Sequence, residues 1–177
     1  MKKANTEEFI EVQTKDKTTR HFPISFAQYS TLLANYLNSG KGGFCEAPEV
    51  EDKVMDKISE YLSHISESGP IEIERPLISD DMKQALKNDE WHSNFIDIAL
   101  DDLVNLTKAA SSMGIKSLID LCCAKLACMC MDKTEDEIFT VFNINETLTE
   151  EEKVRLREEN KWIEENFVFS FIHAHTS

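Results

Sequence analysis

The segment that sets the fold lies near the start of the chain, where residues 10–22 read IEVQTKDKTTRHF. Ile10 and Val12 alternate with polar neighbours, which is the pattern of a strand with one buried face. Lys15–Lys17 supplies a turn, and the β-branched and aromatic residues of Thr18–Phe22 indicate a second strand. The sequence therefore predicts a β-hairpin ahead of the helical segments that follow.

Two amphipathic helices are predicted after the hairpin. Ser25 and Gln28 form a capping-box pattern for the first helix, and Gly40 ends it. The apolar positions of this helix are Phe26, Tyr29, Leu32, Leu33, Tyr36 and Leu37. The second helix is closed by Gly69-Pro70. Its apolar positions are Val54, Met55, Ile58, Tyr61, Leu62 and Ile65.

Residues 70–90 are mixed in composition and predict a surface connection with one short helical turn. The apolar residues that then return to the core are Trp91, Phe95, Ile96 and Ile98. A third helix is expected to be capped by Asp101 or Asp102 and to break near Gly114. Its inward positions are Leu103, Leu106, Ala109, Ala110 and Met113. A fourth, strongly apolar helix carries Leu118, Leu121, Cys122, Leu126 and Met129.

The last part of the chain is more acidic than the rest. Thr134 with Glu137, and Thr149 with Glu152, each fit the capping-box pattern, so two further helices are expected. Residues 132–165 hold 12 acidic and 5 basic side chains, interrupted by sparse apolar positions. Two short helices bury little surface alone, so this apolar stripe must pack on the preceding domain or on a partner.

Composition disfavours nucleic-acid-binding, transmembrane and secreted classes of protein. The 177-residue chain has a formal net charge of −14 and a pI of about 4.7. This charge opposes binding to nucleic acids and to anionic membranes. No apolar run approaches the roughly 20 residues of a membrane-spanning helix, and the first residues lack a secretory apolar segment.

Motifs for chemistry are weak or missing. Four of the five cysteines crowd into residues 122–130, but their spacing does not pair two thiolates for zinc, so they are interpreted as small packing residues. Residues 39–43 are glycine-rich, yet they follow a helix and lack the Lys-Ser or Lys-Thr pair of a phosphate loop. No nucleophile and histidine form a catalytic pattern, and no cofactor or metal is expected.

Two long motifs in the acidic region resemble a known family. Residues 136–144 read DEIFTVFNI, and residues 149–162 read TEEEKVRLREENKW. Both closely resemble signatures of the Skp family, the small adaptors of SCF (Skp–cullin–F-box) ubiquitin ligases. Ala109-Ala110 with Ile115–Asp120, and the Trp91 and Phe95 pair upstream, resemble the same family. The resemblance spans about residues 7–163.

The resemblance implies an α+β fold with a BTB/POZ-like domain over residues 1–131, followed by a helical F-box-binding extension over 132–165. In this family the extension and the helix before it grip the F-box of a substrate receptor, while the BTB part docks on a cullin. The protein would then be no enzyme but a subunit of a hetero-complex. Carried over by position, the F-box-binding residues are Ile138, Phe142, Ile144, Leu148, Leu156, Arg157, Asn160 and Trp162.

The chain departs from the family pattern on the cullin side. After Ala109-Ala110 the family commonly has Asn-Tyr, whereas this chain has Ser111-Ser112. An aromatic anchor can contribute a few kcal/mol, on the order expected for an interface hot spot. The acidic loop common after the first helix is also replaced by the short, slightly basic residues 38–44. Two hypotheses therefore stand: an adaptor that links F-box proteins to a cullin, and an F-box partner that acts as a structural or assembly subunit without one.

The tail is a third departure, because the family usually ends just after the tryptophan. Residues 166–177 include Phe167, Phe169 and Phe171, which alternate like one face of a strand. Such a tail could add to a partner's sheet edge, fold over the protein's own core or stay disordered. His173 and His175 are too few to make a metal site. The expected location is the cytoplasm, the nucleus or both.

Overall fold

The computed structural model describes residues 9–40, 42–144 and 148–161. The fold is mixed α+β, mostly helical, with one three-stranded sheet. The chain divides into two compact units, with the division after Thr134. The tail 166–177 and its alternating phenylalanines lie outside the described residues.

The predicted hairpin is confirmed. Strand β1 (Phe9–Thr14) pairs antiparallel with β2 (Thr19–Pro23), and the side chain of Thr14 closes the turn by accepting the Thr18 amide at 3.2 Å. Alternation buries Ile10 and Val12, while Phe9 is 50% exposed. The sheet order is β2-β1-β3, because the short strand β3 (Cys45–Ala47) adds to the other side of β1 in parallel. The sequence patterns did not indicate β3.

The start of the first helix was predicted wrongly. Ile24–Gln28 form a separate 3-10 turn after Pro23, and helix α1 covers only Thr31–Ser39. Ser30, not Ser25, is the cap: its extended backbone lets its hydroxyl accept the Leu33 amide at 3.3 Å. Gly40 ends α1 in the left-handed conformation, as the sequence predicted.

Five further helices complete the first unit: α2 (Asp52–Ser68), α3 (Met82–Ala85), α4 (Glu90–Phe95), α5 (Leu100–Met113) and α6 (Lys116–Cys130). The short helical turn expected in 70–90 is α3. The guanidinium of Arg20 on β2 binds both carboxylate oxygens of Asp52, at 2.7 and 2.9 Å, and so joins the hairpin to the start of α2. Burial of apolar side chains from both strands and helices forms one core.

Aspartates cap two of these helices, α3 and α4, but not α5. Asp81 accepts the Lys83 amide at the start of α3, and Asp89 accepts the His92 amide at the start of α4. The expected capping by Asp101 or Asp102 is wrong, because Ala99 occupies the cap position of α5. Both aspartates lie in the first turn, where a negative charge favours the helix dipole.

The interpretation of the clustered cysteines as small packing residues holds for two of the four, Cys122 and Cys128. Cys45, Cys122 and Cys128 are buried, and burial raises the pKa of the Cys122 thiol to about 11. Cys123 is exposed and Cys130 is half-buried, so these two are not packing residues of the core. They lie seven residues apart, and two helical turns place them on the same, outward side of α6.

The second unit contributes helix α7 (Glu135–Val141) and a helical segment over residues 150–161, here called α8. Both begin just after the threonine of a predicted capping box, so these two starts are confirmed. None of the described helices is long and apolar enough to cross a membrane.

Candidate functional site

Helix α7 ends in a turn that depends on an asparagine. Asn143 adopts a positive φ of 52°, which lets the Ile144 amide reach back to the carbonyl of Phe139 at 2.9 Å. Asparagine takes this left-handed conformation at lower cost than most side chains. The turn predicted from Phe142 onward is therefore present over its described part, and Asn145 lies outside the described residues.

The apolar positions on α7 and in the turn after it are incompletely buried. Ile138 and Phe142 lie one turn apart and thus on the same side, and both are half-buried. Ile144, just past the turn, is 43% exposed. The acidic side chains Glu135, Asp136 and Glu137 form the first turn of the helix, where the dipole favours them. The helix therefore presents apolar side chains at its end and carboxylates at its start.

Helix α8 begins with a complete capping box. The carboxylate of Glu152 accepts the Thr149 amide at 2.9 Å and the Thr149 hydroxyl at 2.8 Å. In return the Glu152 amide donates to the Thr149 hydroxyl at 3.3 Å. The hydrogen bond from the Thr149 amide is the main cause that lowers the pKa of Glu152, and the hydroxyl is the next. The sequence predicted this start correctly.

Three of the predicted F-box-binding residues share one side of α8. Leu156, Arg157 and Asn160 lie within one turn of each other, and all are exposed. The side-chain amide of Asn160 donates to the Leu156 carbonyl at 2.8 Å, which fixes its position along the helix. Arg157 makes no ion pair with any other residue that the structure describes. Leu148, before the helix, is 39% exposed, and Trp162 lies outside the described residues.

Exposed apolar side chains are concentrated in this unit. Of the eight large apolar side chains exposed among the described residues, four lie between residues 144 and 156. They are Ile144, Leu148, Val154 and Leu156. Their surroundings are acidic, with eight carboxylates and four basic side chains over 135–144 and 148–161. Apolar positions inside a charged rim are typical of a protein-binding surface.

The resemblance assigned the helix before the extension to the F-box but named none of its residues. The structure shows an incompletely buried apolar side of α6, of which Ile119 and Leu126 partly pack against the core. Its residues recur at helical spacing and are exposed or half-buried: Ile119, Cys123, Leu126, Ala127 and Cys130. We call this set the α6 face. Periodicity did not reveal it, because the opposite side of α6 is also apolar and buried. A helix that is apolar on both sides is expected only where a partner or another element covers the second side. The unusually apolar composition of α6 was therefore the sequence feature that could have indicated this surface.

The predicted cullin-side positions lie at the end of α5. Ser111 is exposed and Ser112 is half-buried, whereas the preceding Ala109 and Ala110 belong to the core. Phe44, in the loop after α1, is 47% exposed. Ser111 is thus accessible to a partner, but it offers a small hydroxyl group rather than an aromatic ring.

Comparison with known proteins shows the family of this chain. The Skp1 family, dimerisation domain, matches residues 116–163. The S-phase kinase-associated protein 1 homolog of Tetrahymena thermophila is 39% identical over 141 residues, which cover 78% of this chain and 84% of that protein. The chain belongs to the Skp1 family.

Two further relatives are similar to this Skp1-family chain over most of its length. The Arthroderma benhamiae E3 ubiquitin ligase complex SCF subunit sconC is 30% identical over 141 residues, covering 78% of this chain and 85% of that protein. SKP1-like protein 11 of Arabidopsis thaliana is 36% identical over 115 residues, covering 64% and 68%. The family predicted from the two C-terminal motifs is confirmed. The Skp1 domain match includes α6, α7 and the described part of α8, which carry the apolar surfaces above.

Proposed function

We propose that this Skp1-family chain is a non-catalytic adaptor that binds F-box proteins and links them to a cullin in a ubiquitin ligase. The observation that carries the proposal is the exposure of three predicted F-box-binding side chains after α7 and on α8, namely Ile144, Leu148 and Leu156. The relative from Arthroderma benhamiae is named as an SCF subunit, which supports the same role. The described residues contain no group of three or more His, Cys, Asp or Glu arranged to hold a metal ion.

The first unit, in this proposal, is a BTB/POZ-like domain. Its three-stranded sheet and its helices α1, α2 and α5 share one core, as expected for a small sheet covered by helices. The second unit is the F-box-binding extension. The α6 face, on the first unit, is proposed as a second F-box contact, since the family uses the helix before the extension as well.

Apolar contacts would supply most of the affinity for an F-box. Burying one Leu, Ile or Phe side chain on binding is worth about 1.5–3 kcal/mol. The carboxylates around these positions would disfavour acidic competitors and favour partners with basic rims. Arg157, which has no ion-pair partner among the described residues, would be available to an acidic group of the F-box.

The test is the affinity of the purified full-length chain for an F-box domain, measured by titration calorimetry. We expect Phe142→Ala with Leu156→Ala to weaken binding about 100-fold, since two anchors would each lose roughly 1–2 kcal/mol. Trp162→Ala is proposed to weaken it further. Val154→Ala is the matched control on α8: Val154 is 51% exposed but lies outside the predicted set.

Val154→Ala should change the affinity for the F-box domain less than twofold, as expected for a residue that is not a hot spot. Unchanged affinity of the double variant, with a native circular dichroism spectrum, would remove α7 and α8 from the F-box site. Equal losses in the double variant and in Val154→Ala would place the contact on a different side of α8.

A second candidate function is an F-box partner that works without a cullin. Ser111 and Ser112 favour it, because they lack the aromatic anchor that the family commonly places there. If cullin docking is limited by these positions, Ser111→Asn with Ser112→Tyr should strengthen cullin binding about tenfold. Ser111→Ala with Ser112→Ala is the control. No gain in the first variant would show that other contacts decide cullin docking.

A further inference from the structure

Trp91 and Phe95, the upstream pair of the family resemblance, form a stack with two side chains of α2. Their rings lie one turn apart on α4, with centroids 5.0 Å apart and planes 12° from parallel. The imidazole of His64 stacks on Trp91, with centroids 3.5 Å apart and planes 6° from parallel. At the other end, the ammonium group of Lys57 lies 4.6 Å from the centre of the Phe95 ring. The stack therefore joins α4 to α2, and His64 is its member that titrates near neutral pH.

A second histidine lies beside this stack. His92 on α4 is buried, and its ring centroid lies 5.1 Å from that of His64. Asp89 accepts the His92 amide with one carboxylate oxygen, and its other oxygen lies 3.0 Å from Nδ1 of the ring. Because a carboxylate accepts hydrogen bonds, Nδ1 carries the proton of the neutral ring. Both oxygens of Asp89 are thus already engaged with His92.

The two imidazoles have no free acceptor for a further proton. Nε2 of His92 is buried and has no hydrogen-bond partner among the described residues. A second proton on this ring would therefore create a buried N–H group without an acceptor, which is unfavourable. A proton on His64 would instead charge a half-buried ring whose centroid lies 5.1 Å from that of His92. The folded arrangement consequently favours the uncharged form of His64.

The charged groups that face His64 come from α2 and from the start of α4. Burial, the largest cause, and the neighbouring charge of His92 lower the pKa of His64. Asp89 and Glu67 act in the opposite direction without reversing the shift. Tyr61, whose ring centroid lies 6.1 Å from that of His92, stays uncharged because burial raises its pKa to about 12. The other ion pairs on or beside α2 and α4 join Lys57 to Glu60, Lys83 to Glu90 and Lys125 to Asp97.

We propose that His64 is a pH-sensitive latch between α2 and α4. In its neutral form it stacks on Trp91 and holds α4 in place, and on mild acidification it takes up a proton and leaves the stack. Helix α4 then opens while the rest of the first unit stays folded. This latch goes beyond F-box binding and involves none of the residues assigned to it.

The sign of the pH dependence follows from the lowered pKa of His64. In the open form this side chain is hydrated and distant from His92, so the open form binds the proton more readily than the closed form. The stabilisation of the closed form is therefore complete above the ordinary pKa of histidine, about 6.5. It is lost as the pH falls through the lowered pKa of the closed form.

The experiment measures acrylamide quenching of Trp91 fluorescence in the full-length chain between about pH 8 and pH 5.5, the range in which histidine changes charge. The chain has two tryptophans, so Trp162→Phe leaves Trp91 as the fluorophore. We expect quenching to increase on acidification. The opening equilibrium constant should rise by up to about tenfold per pH unit, which is the limit for uptake of one proton. The far-UV circular dichroism spectrum should stay close to native.

Variants at residue 64 separate the titration from the stacking. His64→Phe keeps an aromatic ring that cannot take up a proton, so quenching of Trp91 should stay low over the whole pH range. His64→Gln removes the ring, so quenching should be high at every pH. His21→Gln is the matched control and should keep the original pH dependence. The side chain of His21 is 61% exposed, and its Nε2 lies 3.6 Å from a carboxylate oxygen of Glu11 on the sheet.

The remaining outcomes would overturn the proposal. A pH dependence that survives in His64→Phe would assign the titration to another group. Quenching of Trp91 that does not change with pH would show that α4 stays closed when His64 is charged. NMR titration of the His64 ring is an independent check: a pKa at or above the ordinary value would show that Trp91 stabilises the charged ring through a cation–π contact. Loss of the whole helical signal together with the increase in quenching would replace local opening by global unfolding.

Discussion

Single residues join α1 to α5 in the first unit. The buried hydroxyl of Ser30 accepts the Leu33 amide and donates to the Met113 carbonyl at 2.7 Å. Gly114 ends α5 at a φ of 64° and lies beside Thr31 at this junction. A Cβ built at residue 114 would lie 2.7 Å from the Cβ of Thr31. Glycine is thus required at 114 both by its backbone conformation and by the space around it.

Gly114→Ala is expected to destabilise the protein more than Gly40→Ala. Both glycines cap a helix at nearly the same φ, 64° and 61°, but among the described residues no atom beyond the chain neighbours and the backbone of the same helix lies within 4 Å of a Cβ built at Gly40. The left-handed conformation should cost about 1 kcal/mol at each site, and the clash with Thr31 about 1–3 kcal/mol more at Gly114. Urea unfolding of the two variants measures the difference. Equal decreases in the free energy of unfolding for the two variants would show that the side chain of Thr31 can move without cost, and would contradict the prediction.

The capping box of α8 predicts a pH dependence. Because hydrogen bonds from Thr149 lower the folded-state pKa of Glu152, their contribution is present above the ordinary pKa of glutamate. It is lost as the pH falls through the lowered pKa. Thr149→Val should raise this pKa part of the way, since the amide bond remains, and Thr149→Ser should leave it low. NMR titration of the Glu152 carboxyl group tests this, and an unchanged pKa in Thr149→Val would contradict it.

Elements differ in how well their sequences specify them. The hairpin and α2 were predictable because Ile10 and Val12 alternate and the apolar positions of α2 keep one helical period. Strand β3 has only three residues and exists through its pairing with β1, so it left no pattern of its own. The capping box predicted at Ser25 was wrong because Ser25 and Gln28 have the sequence spacing of a capping box but lie within a 3-10 turn ahead of α1.

The two sides of α6 should differ in thiol reactivity. The thiolate is the reactive form of cysteine, and Cys122 is buried with its pKa raised to about 11, whereas its neighbour Cys123 is exposed. We expect a maleimide at neutral pH to modify Cys123 first and Cys122 only on unfolding, with mass spectrometry as the readout. Bound F-box should then protect Cys123 and Cys130. Early modification of Cys122 would contradict the orientation of α6.

The whole molecule combines a packed α+β unit with a smaller helical unit that exposes apolar side chains. The two long motifs identified the family and the surface on α7 and α8, because their apolar and capping positions are specific. They did not reveal the α6 face, whose outward residues belong to a helix that is apolar on both sides.

The most direct test of the central claim is native mass spectrometry of the full-length chain mixed with an F-box domain and the N-terminal part of a cullin. The adaptor account predicts a complex that contains one copy of each, with no direct association between the F-box domain and the cullin. A complex that contains the chain and the F-box domain but no cullin would support the second candidate function, an F-box partner that works without a cullin. No binding of the F-box domain would contradict the account.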